Sequence, residues 1–213
     1  MKVRDIMSRE VIRVDIHTPI MAALDIMKEN KIKRLPVTKN GKFTGLVTRA
    51  MIRDASPSAA TSLSIYELNY LISKMTVADI MVKNPVTVSP DLPVEEAIWL
   101  GRQRGIGAFP VMENNELVGI ITASDITAVV SKALGLDDKD SKRITVDSSG
   151  KRFGYLKQLI DVLDAHGVPL LSILSVPKSK NGDWHLILRV KAKDAAATAE
   201  DLKEKGFNVI EVT

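Results

Sequence analysis

At 213 residues, with 45% hydrophobic and 26% charged residues, the chain has ordinary globular composition and room for one large domain or two to three small ones. Thirty basic against 26 acidic residues leave a net charge of only +4. Two tryptophans, three tyrosines and four phenylalanines are too few and scattered for a base-stacking surface, so nucleic-acid binding is not expected. The absence of cysteine excludes disulfides, thiolate zinc sites and a cysteine nucleophile, and His17, His166 and His185 stand at no metal-ligand spacing.

The opening stretch, MKVRDIMSREVIRV, is charged throughout rather than built around an apolar signal core. No uncharged run approaches the ~18 residues of a membrane span. The expectation is a cytoplasmic protein. Residues 3–52 align without a gap on residues 77–126, with roughly 14 identities in about 50 positions. Val3, Asp5, Ile6 and Met7 fall on Val77, Asp79, Ile80 and Met81, and Pro36-Val37 falls on Pro110-Val111. Gly45 falls on Gly119 and Thr48 on Thr122. One unit is used twice.

Each copy predicts a short β run (Val11 to Val14; Val86 to Val88) leading to a helix that starts near a proline. Thr18 is the expected cap in the first copy, with Pro19 at the first helical position, and Asp91 is the expected cap in the second. Ile20, Ala23, Leu24 and Met27 form the apolar stripe of one helix; Val94, Ala97, Ile98 and Gly101 form that of the other. Two strands follow in each copy, joined by Asn40-Gly41 or Asn114-Asn115, and a final helix closes the unit. A copy of about 55 residues buries little surface alone, so the two should pack together. Between them, residues 54–61 read as a loop, and Ser64 to Lys74 as an amphipathic helix bearing Tyr66 and Tyr70, which could add to a dimer contact.

Past the charged stretch from Gly135 to Arg143 the pattern changes. Arg143 to Val146 reads as a strand, Phe153 to Ala165 as a helix stopped by Gly167, and Leu170 to Val176 as a strand. A turn at Lys180-Asn181-Gly182-Asp183 leads to a strand from Trp184 to Val190. A helix from Asp194 to Lys205 and a strand from Asn208 to Val212 complete a βαββαβ order, the ferredoxin-like layout. The expected domains are 1–55, the first repeat; 56–75, a linker and helix; 76–135, the second repeat; 136–142, a linker; and 143–213. The fold class is α/β (α+β).

The D-I-M opening, the L-P-V or F-P-V strand and the ending G-h-h-T-x-x-D resemble CBS domains, and two in tandem resemble a Bateman module. The tail, with Asp147-Ser-Ser-Gly-Lys-Arg-Phe-Gly154 before a helix and His166-Gly167-Val168 after it, resembles an ACT domain. The order of parts, with the ASPSAATS and YELNYL stretches, resembles the acetoin-utilisation B-type proteins. The resemblance implies a non-catalytic cytoplasmic regulator whose CBS pair binds an adenine nucleotide of the AMP, ADP or ATP class. The ACT part would bind a small effector or form a homodimer, acting on an unidentified regulated protein. A structural adaptor with an empty CBS pair and amino-acid sensing by the ACT part alone is the rival reading.

Thr122-Ala-Ser-Asp125 has the spacing of a capping box, which accounts for both residues without a ligand. The CBS resemblance gives Asp125 a second role, gripping the ribose hydroxyls, with Thr122 beside it. The first copy keeps Thr48 but has Met51 in place of the acid, which accepts hydrogen bonds poorly, so one strong nucleotide site is expected per chain. Lys31, Lys33 and Arg34 stand where the second copy has Gly105, Gly107 and Ala108. If the copies face each other, Lys33 or Arg34 meets the phosphate of a nucleotide held by Asp125. Pro110 and Val111, with Thr87 and Val88 by resemblance, would flank adenine. In the ACT-like part Gly154, Tyr155 and Leu156 are the candidate effector contacts. Asp147-Ser-Ser-Gly150-Lys151 fails as a phosphate loop, because Thr145 stands at the first glycine and Arg152 at the Ser/Thr position. No catalytic constellation, metal set or obligatory cofactor is read from the sequence, and enzymatic activity is not expected.

Overall fold

The computed structural model describes residues 1–55, 64–147, 154–177 and 184–213. Of the loop expected at 54–61, Asp54 and Ala55 are helical and 56–61 lie outside the described residues, as do the 180–183 turn and the Ser148–Arg152 stretch. The chain divides into two compact units, Met1–Ile126 and Thr127–Thr213. The boundary falls inside the helix that closes the second repeat rather than in the charged stretch after Gly135.

In the first repeat, β1 (Val14–Asp15) pairs parallel with β2 (Arg34–Lys39), which pairs antiparallel with β3 (Lys42–Thr48). The helices α1 (Ile20–Glu29) and α2 (Arg49–Ala55) belong to this repeat, and α3 (Ile65–Lys74) follows. The second repeat opens with α4 (Val77–Ile80) and β4 (Val82–Lys83). It continues through α5 (Val94–Arg104), the antiparallel pair β5 (Ala108–Glu113) and β6 (Glu116–Thr122), and α6 (Ala123–Ala133). A Val88–Val111 parallel bridge stands where β1 and β2 pair in the first repeat. Both hairpins turn on residues of positive φ, Asn40 and Gly41 in one, Asn114 and Asn115 in the other, as a tight hairpin turn demands. Both carry an irregularity at the same point, after Val37 and after Val111.

The repeats exchange their opening segments. Ser8, from the start of the first, bridges Ile120 on β6, while β4, from the start of the second, pairs with Gly45 and Leu46 on β3. Val3 and Met7 are buried in the core of the second repeat; Val77 is buried in that of the first, with Met81 packed against it. This explains the two matched glycines. A Cβ on Gly119 would stand 2.5 Å from the Met7 sulfur, and one on Gly45 would stand 2.6 Å from that of Met81. Each methionine of the D-I-M motif lies on a glycine of the opposite sheet.

The exchange also corrects the expected caps. Helix α1 starts at Ile20, with Pro19 in the cap position, and α5 starts at Val94 behind Pro93. The free N–H of Ile20 donates to the Met75 carbonyl and that of Val94 to the Met1 carbonyl, 3.1 Å each. Backbone from the other repeat's opening thus does the work expected of Thr18 and Asp91. Asp91 instead accepts from Lys2 at 2.8 Å and Arg4 at 2.6 Å, fastening the first opening segment to the second repeat. Those cations, Lys2 foremost, hold its carboxyl below the usual aspartate range. The α5 stripe is narrower than expected, since Val94 and Ala97 are buried but Ile98 is exposed. On α3, Tyr66 and Tyr70 are exposed, and Ile72 packs on the first repeat's core.

In the second unit, β7 (Ser141–Asp147), α7 (Tyr155–Ala165), β8 (Leu170–Pro177), β9 (Trp184–Lys191), α8 (Ala196–Glu204) and β10 (Asn208–Val212) follow the βαββαβ order. The sheet runs β10-β7-β9-β8, antiparallel throughout. This is the ferredoxin-like arrangement. Ile144, Val146, Leu159, Leu163, Leu188 and Leu202 are its fully buried centre. Asp194 accepts from the Ala196 N–H at 2.9 Å, ahead of α8. Among the described residues no helix is long and apolar enough to cross a membrane.

Candidate functional site

The strand-to-helix junction at the end of β6 carries the capping box. One carboxylate oxygen of Asp125, Oδ2, accepts from the Thr122 N–H at 2.8 Å and from its hydroxyl at 2.7 Å, and the Thr122 hydroxyl faces the Asp125 N–H at 3.4 Å. The other oxygen, Oδ1, takes part in none of these bonds. The cap therefore occupies half of the acid and leaves the other half for a ligand.

Asp125 and Thr122 line a cleft of about 410 Å³ in the first unit, together with Ser124 and Ile120 of the second repeat. From the first repeat come Lys31, Lys33 and Arg34, with Ser8, Glu10, Val11, Ile12, Ile32 and Pro36. A cleft of this volume suits one small-molecule ligand. It offers a carboxylate from each repeat, Asp125 and Glu10, cations from the first repeat, and apolar groups. Asp125 and the Lys33-Arg34 pair, separated by about 90 positions in the chain, line the same cleft. Arg34 extends to the second repeat: a Cβ on Gly107 would lie 3.0 Å from its Nη2 atom. The small residue opposite is what leaves the guanidinium room.

The residues expected to flank adenine do not line this cleft. Val88 and Val111 are buried and bridged to each other in the second repeat's core, Pro110 is buried with them, and Thr87, though exposed, does not line this cleft. Their first-repeat counterparts line it instead: Val11, Ile12 and Pro36. The reason is the exchange of opening segments, which sets the strand ends of one repeat against the acid of the other. Ser8, Glu10 and Ser124 were not anticipated. The Ser8–Ile120 bridge that brings the opening segment here is a long-range pairing with no local signature.

Thr48, the first repeat's counterpart of Thr122, lies elsewhere. Its hydroxyl accepts from the Met51 N–H at 3.3 Å, half a capping box with no acid to complete it. It lines a second cavity of about 620 Å³ with Leu24, Lys28, Lys33, Arg34, Arg49, Ala50, Ile52 and Arg53.

In the second unit, Tyr155 is buried. Its ring lies 4.7 Å from that of Phe207 and its hydroxyl donates to the Asp147 carbonyl at 2.9 Å. Burial, followed by the nearby Asp147 charge, raises its pKa. That side chain is packed in the core of the second unit. Gly154 has φ +72°, so glycine there is explained by backbone conformation, and Leu156 is half exposed. His166, at the end of α7, faces Asp201 at 3.2 Å. Among the described residues no group of three His, Cys, Asp or Glu could hold a metal ion.

The family model described as the CBS domain matches residues 3–58 and 77–132. The chain belongs to the CBS domain family. A CBS domain-containing protein of Dictyostelium discoideum is 31% identical over 134 residues, covering 62% of this chain and 92% of that protein. Inosine-5'-monophosphate dehydrogenase of Korarchaeum cryptofilum is 30% identical over 63% of this chain, but the match spans only 25% of that enzyme. Among solved structures, the CBS domain pair of protein MJ0100, in complex with 5'-methylthioadenosine and S-adenosyl-L-methionine, superposes with TM-score 0.52 and 28% identity over 62% of this chain and 96% of that one. CBSX2 in complex with AMP superposes with TM-score 0.51 and 25% identity over 61% of this chain and 95% of that one. A putative acetoin utilization protein from Vibrio cholerae shares the fold at 24% identity and TM-score 0.53, over 65% and 96% of the two chains. Two of these structures, matching about three fifths of this chain, hold adenosine compounds.

Proposed function

We propose that this protein is a non-catalytic regulator that binds an adenine nucleotide of the AMP, ADP or ATP class in the cleft of its CBS pair. The observation that carries this reading is the meeting of Asp125, with one carboxylate oxygen outside its cap, and the Lys33-Arg34 pair in a single cleft of about 410 Å³. Asp125 Oδ1 accepts from the ribose hydroxyls, with Thr122 beside it; Val11, Ile12, Ile32 and Pro36 flank the base; Lys33 and Arg34 meet the phosphate. The complexes of MJ0100 with methylthioadenosine and S-adenosylmethionine, and of CBSX2 with AMP, support an adenosine ligand. Binding regulates only if the ligand favours one arrangement of the protein over another.

The βαββαβ unit serves as an ACT-like module that binds a small effector or joins two chains into a cytoplasmic homodimer, acting on a regulated partner in acetoin metabolism. Its edge strand β8, with Ile173, Leu174 and Val176 exposed, supports the dimer reading, since an uncovered apolar edge invites pairing. The rival is an adaptor whose Asp125 is a cap and nothing more.

Calorimetry with AMP, ATP and S-adenosylmethionine separates the two readings. Saturable heat with an adenosine ligand, weakened about tenfold or more by Asp125→Ala, supports the sensor, a loss fitting one charge-assisted hydrogen bond. No heat at millimolar ligand leaves the adaptor.

A further inference from the structure

The cleft at Asp125 and the larger cavity beside it share Lys33 and Arg34 in their walls. The larger cavity adds Lys28, Arg49 and Arg53 and, among the described residues, has no acidic residue in its lining. Lys28 and Arg53 pair with Asp25 and Asp54, both at 3.1 Å and both exposed, and neither acid lines the cavity. Such exposed pairs neutralise little. Among the described residues, Lys33, Arg34 and Arg49 have no carboxylate partner within 4.0 Å. Five cations around about 620 Å³ repel one another and gain from an anion placed between them.

The cluster is confined to one repeat. Arg49 falls on Ala123, Lys33 on Gly107, Arg34 on Ala108 and Arg53 on Thr127; only Lys28 keeps a cationic counterpart, Arg102. The α2 junction places these groups. The Arg49 N–H donates to the Lys33 carbonyl at 2.9 Å, holding the start of α2 against the start of β2. Lys33 and Arg34 then stand between the nucleoside cleft and the basic cavity.

Resting on the nucleotide reading above, we infer that the ligand class preferred here is the adenosine polyphosphates. The α-phosphate meets Lys33 and Arg34, and the further phosphates run past them into the cavity where Arg49, Lys28 and Arg53 receive them. Each phosphate beyond the first adds negative charge and acceptor oxygens that guanidinium groups bind in pairs. Discrimination between AMP and ATP then resides in residues that do not touch the nucleoside.

The test titrates the full chain with AMP, ADP and ATP, and repeats the titrations on Arg49→Ala, which installs the residue the second repeat uses. ATP is expected to bind at least tenfold tighter than AMP. Arg49→Ala should weaken ATP binding about tenfold and leave AMP affinity and the melting temperature unchanged. AMP binding as tightly as ATP, or Arg49→Ala weakening the two equally, overturns this inference and leaves the nucleotide reading standing. No heat from any adenosine ligand overturns the nucleotide reading and this inference together. Inorganic tripolyphosphate provides the second measurement: competition with ATP that Arg49→Ala weakens supports the extended path, and no competition, or competition that Arg49→Ala leaves unchanged, overturns it.

Discussion

The two repeats share a backbone plan and differ in the chemistry placed on it. At the junction of second hairpin strand and closing helix, the second repeat has Thr122 and Asp125 in a complete capping box; the first has Thr48 and Met51, with one bond of the box. Around that junction the first repeat carries Lys33, Arg34 and Arg49 where the second carries Gly107, Ala108 and Ala123. The acid stands in one repeat and these cations in the other. Because the copies exchange their opening segments, the separated halves face one another within one cleft. In this pair the cleft lined by Asp125 of the second repeat is also lined by Lys33 and Arg34 of the first.

The largest change expected from breaking the comparison is in packing. Gly45→Ala forces a Cβ to 2.6 Å from the Met81 sulfur and 2.8 Å from the Val82 carbonyl, whereas Gly119→Ala meets the Met7 sulfur at 2.5 Å and the Ser8 carbonyl at 3.1 Å. A methionine side chain yields more readily than backbone, so both variants lose about 1–3 kcal/mol in urea denaturation, with Gly45→Ala the worse. Equal losses would show that the backbone contact decides nothing. Next comes Asp125→Ala, which loses the cap, about 0.5–2 kcal/mol by thermal denaturation, in addition to its effect on ligand affinity. A stability loss with unchanged nucleotide affinity would reduce Asp125 to a helix cap.

Met51→Asp sharpens the comparison from the other side. It completes the box that Thr48 begins and should raise stability by a fraction of the ~0.5–2 kcal/mol such caps contribute, read as a higher melting temperature. If the first repeat lacks only the acid, calorimetry will also count a second adenosine site; an unchanged stoichiometry would show that the cations around Met51 already exclude a nucleoside there. The smallest effect concerns acid pH. Asp79 accepts from the Thr76 N–H at 2.7 Å and from its hydroxyl at 3.0 Å, and these bonds hold its carboxyl below the usual range. Its contribution is therefore complete above the unfolded value of about 3.9 and is lost as pH falls through the lower folded value. Asp79→Asn should flatten the decline of stability below about pH 4, and an unaltered slope would remove this carboxyl from the account.

Much of this was legible in one sequence because it is carried by periodicity and repetition. The matched D-I-M, P-V, Gly and Thr positions located both repeats, the Asn turns located both hairpins, and the exception at Met51 singled out Asp125. The helix caps were misplaced for a definable reason. Thr18 and Asp91 are good local caps, but the first N–H groups of α1 and α5 are taken by Met75 and Met1, which no local rule associates with them. That Pro36, Val11 and Ile12 line the cleft beside Asp125, and Pro110 and Val111 do not, was missed for the same reason. Arg49 could have been found by extending the repeat comparison one residue beyond Thr48, where arginine replaces alanine.

What the sequence by itself determined is the set of parts: two copies of one unit, a βαββαβ unit after them, and an acid and a cation cluster in different copies. Those follow from side-chain period, turn chemistry and residue identity, which act over a few residues. Which part faces which was decided only by tertiary structure. Pairing of Ser8 with Ile120 and of Val82 with Leu46 joins segments 112 and 36 positions apart, and that long-range pairing brings Asp125 opposite Lys33 and Arg34. The driving force is burial of Met7 and Val3 on one sheet and of Met81 and Val77 on the other, a requirement that neither repeat can meet alone.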